Sequence, residues 1–350
     1  MRSPLSLLIL ACALLVSGCA LPIPGTSSGR DHRLRQLGYH PQKLQKTSGD
    51  VRYSGKFLVN GQPVQLLIDS GANSTDIESA IALRAGVRPS KSLTVISRGA
   101  LGRPVTSQVG VGTLTAGQIT ATPFPFMLTP ASDRHTATSR YDGQLGLDAL
   151  EGLGALVDLS SGNFWVPSQK ARNAGATTIS PLGPVAGLGF ETLSLKRAGR
   201  LPHLILEGVW NGYPLSWVVD TGAEVTVLST ATIRRHGLPT VPTGSKIIDA
   251  SGDNSDVSVA SLKNVIFGRL VVSEYQVAVT PLTTVRQSFR DSRGRAVDGI
   301  IGMDFLARSG ALLDSASALL YVGQPEVRVR SRRTTAAAAL PVTLRVAEDR

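Results

Sequence analysis

Apolar positions come in short runs along this chain, separated by turn residues, with one longer apolar run at the start over residues 5–16. Two of the short runs, 62–68 and 213–219, follow Asn-Gly pairs (Asn60-Gly61 and Asn211-Gly212) and lead directly into an aspartate, Asp69 and Asp220. Asn-Gly between apolar runs is a hairpin signal, because both residues tolerate positive φ. The run after each pair therefore reads as a strand with an aspartate at its end. Residues 77–85 and 229–236 read as short helices stopped by Gly86 and Gly237. Polar, turn-rich stretches around Gly102 and Gly252 read as hairpin tips, over 97–105 and 250–256. Composition agrees: Gly is abundant (36), Pro common (20) and aromatics scarce (5%), as many short strands and turns require.

The same order of signals occurs twice. Asn60 and Asn211 each precede their aspartate by nine residues, Thr75 and Thr226 follow it by six, and Gly86 and Gly237 by seventeen. A second shared block matches residues 142–150, Asp-Gly-Gln-Leu-Gly-Leu-Asp-Ala-Leu, with 298–306, Asp-Gly-Ile-Ile-Gly-Met-Asp-Phe-Leu. Asp158 and Asp314 lie eight residues beyond those blocks, and Trp165 and Tyr321 a further seven. Spacing held over this length predicts a tandem repeat of one folding unit. The units are expected over 51–168 and 189–323, joined by a Pro-, Gly-, Ala- and Ser-rich linker at 169–188.

One aspartate at a strand end means little, since Asp often only accepts backbone hydrogen bonds there. Two at equivalent places are another matter. A buried carboxylate without a partner costs several kcal/mol, and the partner that pseudo-symmetry offers each aspartate is the other. Two carboxylates brought together share one proton. The ionised one then takes a proton from water while the protonated one polarises a carbonyl, without metal or cofactor. Ser70 and Thr221 supply hydroxyls to fix the loops, and Gly71 and Gly222 let two backbones approach closely.

Asp69-Ser70-Gly71-Ala72 and Asp220-Thr221-Gly222-Ala223 resemble the active-site loop of retropepsin-like aspartic peptidases. Leu145-Gly146 and Ile300-Ile301-Gly302 resemble the hydrophobic-hydrophobic-Gly motif that backs this loop in the family. The resemblance implies an all-β fold of two closed β units, each with a short helix, in a pepsin-like bilobal arrangement. It also implies a cleft between them covered by two flap hairpins, for which 97–105 and 250–256 are the candidates. It implies an aspartic endopeptidase with Asp69 and Asp220 as catalytic residues and a polypeptide as substrate. Gln144 departs from the motif, which suggests looser packing behind Asp69. Residues 340–346 are strand-like. They are either a terminal strand of the unit interface or part of a disordered tail.

The apolar run 5–16 is too short for a permanent membrane span and ends on Val16-Ser17-Gly18-Cys19. It reads as a signal peptide over 1–18 with lipidation at Cys19, followed by a tether over 19–50. That ending resembles the bacterial lipobox, and Ala20 then implies a periplasm-facing outer-membrane anchor. The net charge of +11 is concentrated toward the ends: residues 20–50 hold five basic and two acidic residues, and the basic tail 324–350 holds six and three. Nothing in this distribution points to nucleic acid. The histidines at 32, 40, 135, 203 and 236 are scattered without ligand spacing, so no metal site is expected. Asp148 and Asp304 follow a glycine at a helix start and read as caps. Three functional readings stand: an active peptidase whose units pair within one monomer, a silent binding or scaffold lipoprotein, and an enzyme whose units pair between chains.

Overall fold

The structure is a computed structural model that describes residues 27–133, 140–173, 190–197 and 203–323, and the backbone of 342–346. The expected lipidation site Cys19 and most of the linker lie outside these residues. Each Asn-Gly pair forms the turn its sequence requires, with φ of 48° and 81° at Asn60 and Gly61 and of 47° and 78° at Asn211 and Gly212. Positive φ at both central residues matches the right-handed twist of the flanking strands. The hairpins Ser54–Val59 with Gln62–Ile68 and Leu204–Trp210 with Tyr213–Val219 result.

Each hairpin grows into a sheet of the same strand order. In the first unit Gln62–Ile68 is followed by Gly143–Leu145, Asp76–Glu78, Ile119–Thr129, Pro104–Ala116 and Pro89–Arg98. In the second, Tyr213–Val219 is followed by Gly299–Ile301, Val227–Ser229, Leu270–Thr280, Asn254–Phe267 and Val241–Ile248. Each sheet closes on itself, through Leu58↔Thr115 in one unit and Val209↔Ile266 in the other. The predicted all-β pair of closed units is therefore present, with the short helices Ser79–Arg84 and Thr230–His236 where the pattern placed them. Inside the barrels the strands bury one face: Phe57, Leu66, Ile68, Phe126 and Leu145 in one core, and Leu206, Trp217, Val219, Phe267 and Ile301 in its counterpart.

A third sheet joins the units. Its order is Tyr39–Lys43, Asn163–Pro167, Leu156–Asp158, Leu312–Asp314, Leu319–Gly323 and Phe190–Ser194, three strands from each half. The halves meet at Leu312↔Asp158, Leu313↔Val157 and Asp314↔Leu156. This sheet corrects the tether reading of 19–50. From Ser27 onward that stretch is part of the fold: the helix Ser27–Gln36 and the strand Tyr39–Lys43 cover the sheet, with Leu34 and Tyr39 packed against Trp165 and Tyr321. Arg30 is buried there and pairs with Asp158 at 2.5 Å while donating to Ser160 Oγ at 2.6 Å. An unpaired buried guanidinium would cost several kcal/mol, so the contact requires both partners.

The C-terminal strand Val342–Val346 pairs antiparallel with Leu270–Thr280 of the second barrel. This pairing stands outside the inter-unit sheet, where the sequence offered a terminal strand of the unit interface. Among the described residues no helix is long and apolar enough to cross a membrane.

Candidate active site

Both aspartates leave the end of a strand whose neighbour runs parallel to it. Ile68 is in register with Leu145, and Val219 with Ile301. The backbone N–H of Asp69 donates to the Leu145 carbonyl and that of Asp220 to the Ile301 carbonyl, each at 3.0 Å. The residues after these carbonyls must be glycine. A Cβ on Gly146 would stand 2.6 Å from the Ser74 carbonyl carbon, and one on Gly302 equally close to that of Val225. The hydrophobic-Gly motif thus holds each aspartate from behind, with Leu145 and Ile301 fully buried.

Gln144 does not loosen this support. Its side chain lies on the opposite face of the strand from Leu145 and is half-exposed, just as Ile300 belongs to a different apolar cluster from Ile301. A polar residue is tolerated at 144 because that face is not the barrel core.

Asp148 and Asp304 also differ from expectation. They bond their own helix only at the next residue, Ala149 N–H at 2.7 Å and Phe305 N–H at 2.9 Å. Their main partners are distant in sequence. Thr75 donates its N–H to Asp148 at 3.0 Å and its hydroxyl at 2.7 Å, and Thr226 donates both to Asp304 at 2.8 Å. The threonine hydroxyls in turn accept from Gly146 N–H at 3.2 Å and Gly302 N–H at 3.0 Å. Each carboxylate therefore ties the far end of the active-site loop to the motif behind it. Burial raises both groups above the ordinary carboxylate range.

The two loops interlock. Thr221 donates its hydroxyl to the Ile68 carbonyl at 2.9 Å and accepts from Ser70 N–H at 2.9 Å. Ser70 does the same in reverse, donating to the Val219 carbonyl at 2.8 Å and accepting from Thr221 N–H at 3.0 Å. All four groups are buried, so losing one hydroxyl orphans a donor and an acceptor on the opposite unit. Thr221→Ala is expected to lower unfolding free energy by about 1–3 kcal/mol, whereas Thr221→Ser stays near wild type. Urea denaturation of both variants checks this.

The interlock brings the Asp69 and Asp220 carboxyls within hydrogen-bonding reach of each other. Oδ1 of Asp69 accepts from Gly71 N–H at 2.9 Å and Ala72 N–H at 3.1 Å; Oδ1 of Asp220 accepts from Gly222 N–H at 2.8 Å and Ala223 N–H at 3.1 Å. Burial pushes Asp69 up, opposed by the hydrogen bonds and by the nearby Arg52 charge. Burial and then the Asp69 charge push Asp220 well above the ordinary range. These shifts belong to the pair rather than to either residue, and they favour a proton held between the two carboxyls.

The hairpins 89–116 and 241–267 have tips at residues 99–103 and 249–253; the first lies inside the stretch 97–105 expected for a flap, and the second begins one residue before the expected 250–256. The tips touch: Leu101 N–H donates to Asp249 at 2.9 Å, and Arg103 donates to the Ser251 carbonyl at 2.8 Å.

Two residues at the site were not legible beforehand. Arg52 and His203 each precede their aspartate by seventeen residues and each reach the opposite active-site loop. Their positions agree in the repeat, but their side chains differ, so a search for repeated residues passes over them.

Comparison with known families settles the kinship of this scaffold. A family model described as aspartyl protease matches residues 56–149 and again 206–305, one match in each barrel. The chain belongs to the aspartyl protease family. Both aspartates, both interlocking hydroxyls and both hydrophobic-Gly motifs of this family member fall within the matched segments. Among solved structures, basic 7S globulin from soybean is similar at 12% identity and a TM-score of 0.44, over 82% of this chain and 95% of that one. No relative was found among curated proteins.

Proposed function

We propose that this aspartyl protease family member is an endopeptidase that hydrolyses peptide bonds with a water activated between Asp69 and Asp220 of the same chain. The observation that carries the reading is the pair of carboxyls held against each other, each pinned by two backbone N–H donors. In this reading the ionised member removes a proton from water as it attacks the scissile carbonyl, and the protonated member donates to the developing oxyanion. The chain's own groups supply both roles, and polypeptide is the substrate class. The test is a peptide library incubated with protein lacking residues 1–19. Cleavage products formed by this protein and missing with Asp220→Asn support the reading; identical product sets overturn it.

A second reading, binding without turnover, is favoured by one feature. The row Val218, Ile300, Val227 and Ala278 of the second unit packs with Ala223 of its active-site loop and Ala100 of the opposite flap tip. Leu282, Val285 and Phe289, from residues 281–297, cover that row. In this reading those side chains close that side to a peptide. The library experiment separates the two readings, since a silent binder yields no products.

The proposed place of action is the cell envelope, with the chain anchored through lipid on Cys19. Its support is the apolar run ending on Val-Ser-Gly-Cys. Cys19→Ala is expected to move the protein from the membrane fraction to the soluble fraction; full retention in membranes would end the anchoring proposal.

A further inference from the structure

The peptide unit joining Gly71 to Ala72 has a contact at each end. Its N–H donates to Asp69 Oδ1 at 3.1 Å, and its carbonyl bonds to His203 Nε2 at 2.8 Å. The unit joining Gly222 to Ala223 repeats this: its N–H donates to Asp220 Oδ1 at 3.1 Å, and its carbonyl accepts from Arg52 Nη1 at 3.3 Å. A donor on a carbonyl polarises the N–H of the same peptide, so each contact is transmitted to one carboxylate. The donors come from equivalent positions of the two units, but one is a fixed cation and the other an imidazole.

We propose that His203 is a positioning residue, the neutral counterpart of Arg52, which holds the Asp69 loop without bringing a second charge to the carboxylate pair. This rests on the peptidase reading. A carbonyl only accepts, so Nε2 carries the proton and Nδ1 does not. Among the described residues the buried Nδ1 has no hydrogen-bond partner, and the ring lies against Phe289 with centroids 4.0 Å apart. Burial lowers the imidazole pKa to about 4, so the ring is neutral above that pH. Among the described residues the imidazole contacts the Phe289 ring and the Gly71 carbonyl. Beyond that peptide lie Asp69 and Asp220, and on the opposite side Arg52 is itself tied to Asp50 at 2.7 Å and Glu224 at 3.3 Å. A second guanidinium at 203 would add positive charge beside a pair that must retain a proton.

Three variants of the full chain test this. His203→Leu removes the donor and is expected to lower kcat about tenfold or more with KM little changed, as loss of an aligned group does. His203→Gln keeps an N–H donor and restores most of kcat. His203→Arg moves the alkaline limb of the pH profile to lower pH, because added positive charge favours loss of the shared proton. Wild-type kcat in His203→Leu, or an unmoved alkaline limb in folded His203→Arg, overturns the assignment, as does His203→Gln falling as low as His203→Leu. A second readout needs no turnover. The pH-dependent part of the melting temperature that Asp220→Asn abolishes reports titration of the pair, and it must move the same way in His203→Arg. If the wild type cleaves nothing, the peptidase reading fails and this thermal titration still decides the role of His203.

Discussion

Asp69→Asn and Asp220→Asn should each abolish peptide cleavage, and the double variant should be scarcely worse than either single one. The carboxyls share a proton, so removing either leaves no partner to complete the acid–base pair, and such units are strongly non-additive. Stability should move in the opposite direction. The folded-state pKa of Asp220 is raised well above its unfolded value by burial and by the Asp69 charge. A raised carboxylate contributes stability that is fully present below the unfolded pKa and lost as pH rises through the folded one. Asp220→Asn should therefore melt at or above the wild-type temperature at neutral pH and show a flatter dependence on pH above the ordinary carboxylate range. Kinetics on a cleaved peptide, with calorimetry across pH, tests both halves. Mixing the two single variants tests the pairing. An active mixture would mean that units exchange between chains, and a dead one that each molecule keeps its own defective pair.

Gly71→Ala and Gly222→Ala should come next in effect. A Cβ at Gly71 would lie 2.4 Å from Asp220 Cγ, and one at Gly222 would lie 2.5 Å from Asp69 Cγ. Neither glycine has positive φ, so the conflict is not backbone strain but intrusion into the opposite carboxylate. The carboxylate must swing away or the loops must part, and a displacement of ~1 Å at reacting groups costs on the order of 10²-fold in rate. Each variant should lose about that factor in kcat while keeping a cooperative melt. Gly152→Ala, where an added Cβ meets nothing within 4 Å, is the control. Full activity in Gly71→Ala would show that the approach of the two loops is not what the reaction needs.

The barrels were legible in the sequence because their signals are local and repeated. Asn-Gly fixes a turn, the apolar run after it fixes a strand, and the aspartate marks its end, all within about ten residues of chain and twice over. The inter-unit sheet was not legible at its edge. Tyr39–Lys43 contains a proline and no apolar alternation, and it becomes a strand by pairing with Asn163–Pro167. Asp148 and Asp304 misled for a similar reason. The glycine before them suggests a helix cap, whereas their partners Thr75 and Thr226 stand 73 and 78 residues away. Gln144 looked like a defect only because strand parity, which turns it away from the barrel core, is set by the pairing of 143–145 with 66–68.

The seam between the halves, Leu156–Asp158 against Leu312–Asp314, also bears on how activity scales with protein concentration. Where two identical chains must meet to assemble a carboxylate pair, dilution below the dissociation constant empties the site and specific activity falls. Here both halves of the seam belong to one polypeptide, and the effective concentration of one unit around the other is set by the chain rather than by the solution. Under the proposed peptidase reading, turnover per molecule is then expected to be the same at picomolar as at micromolar concentration.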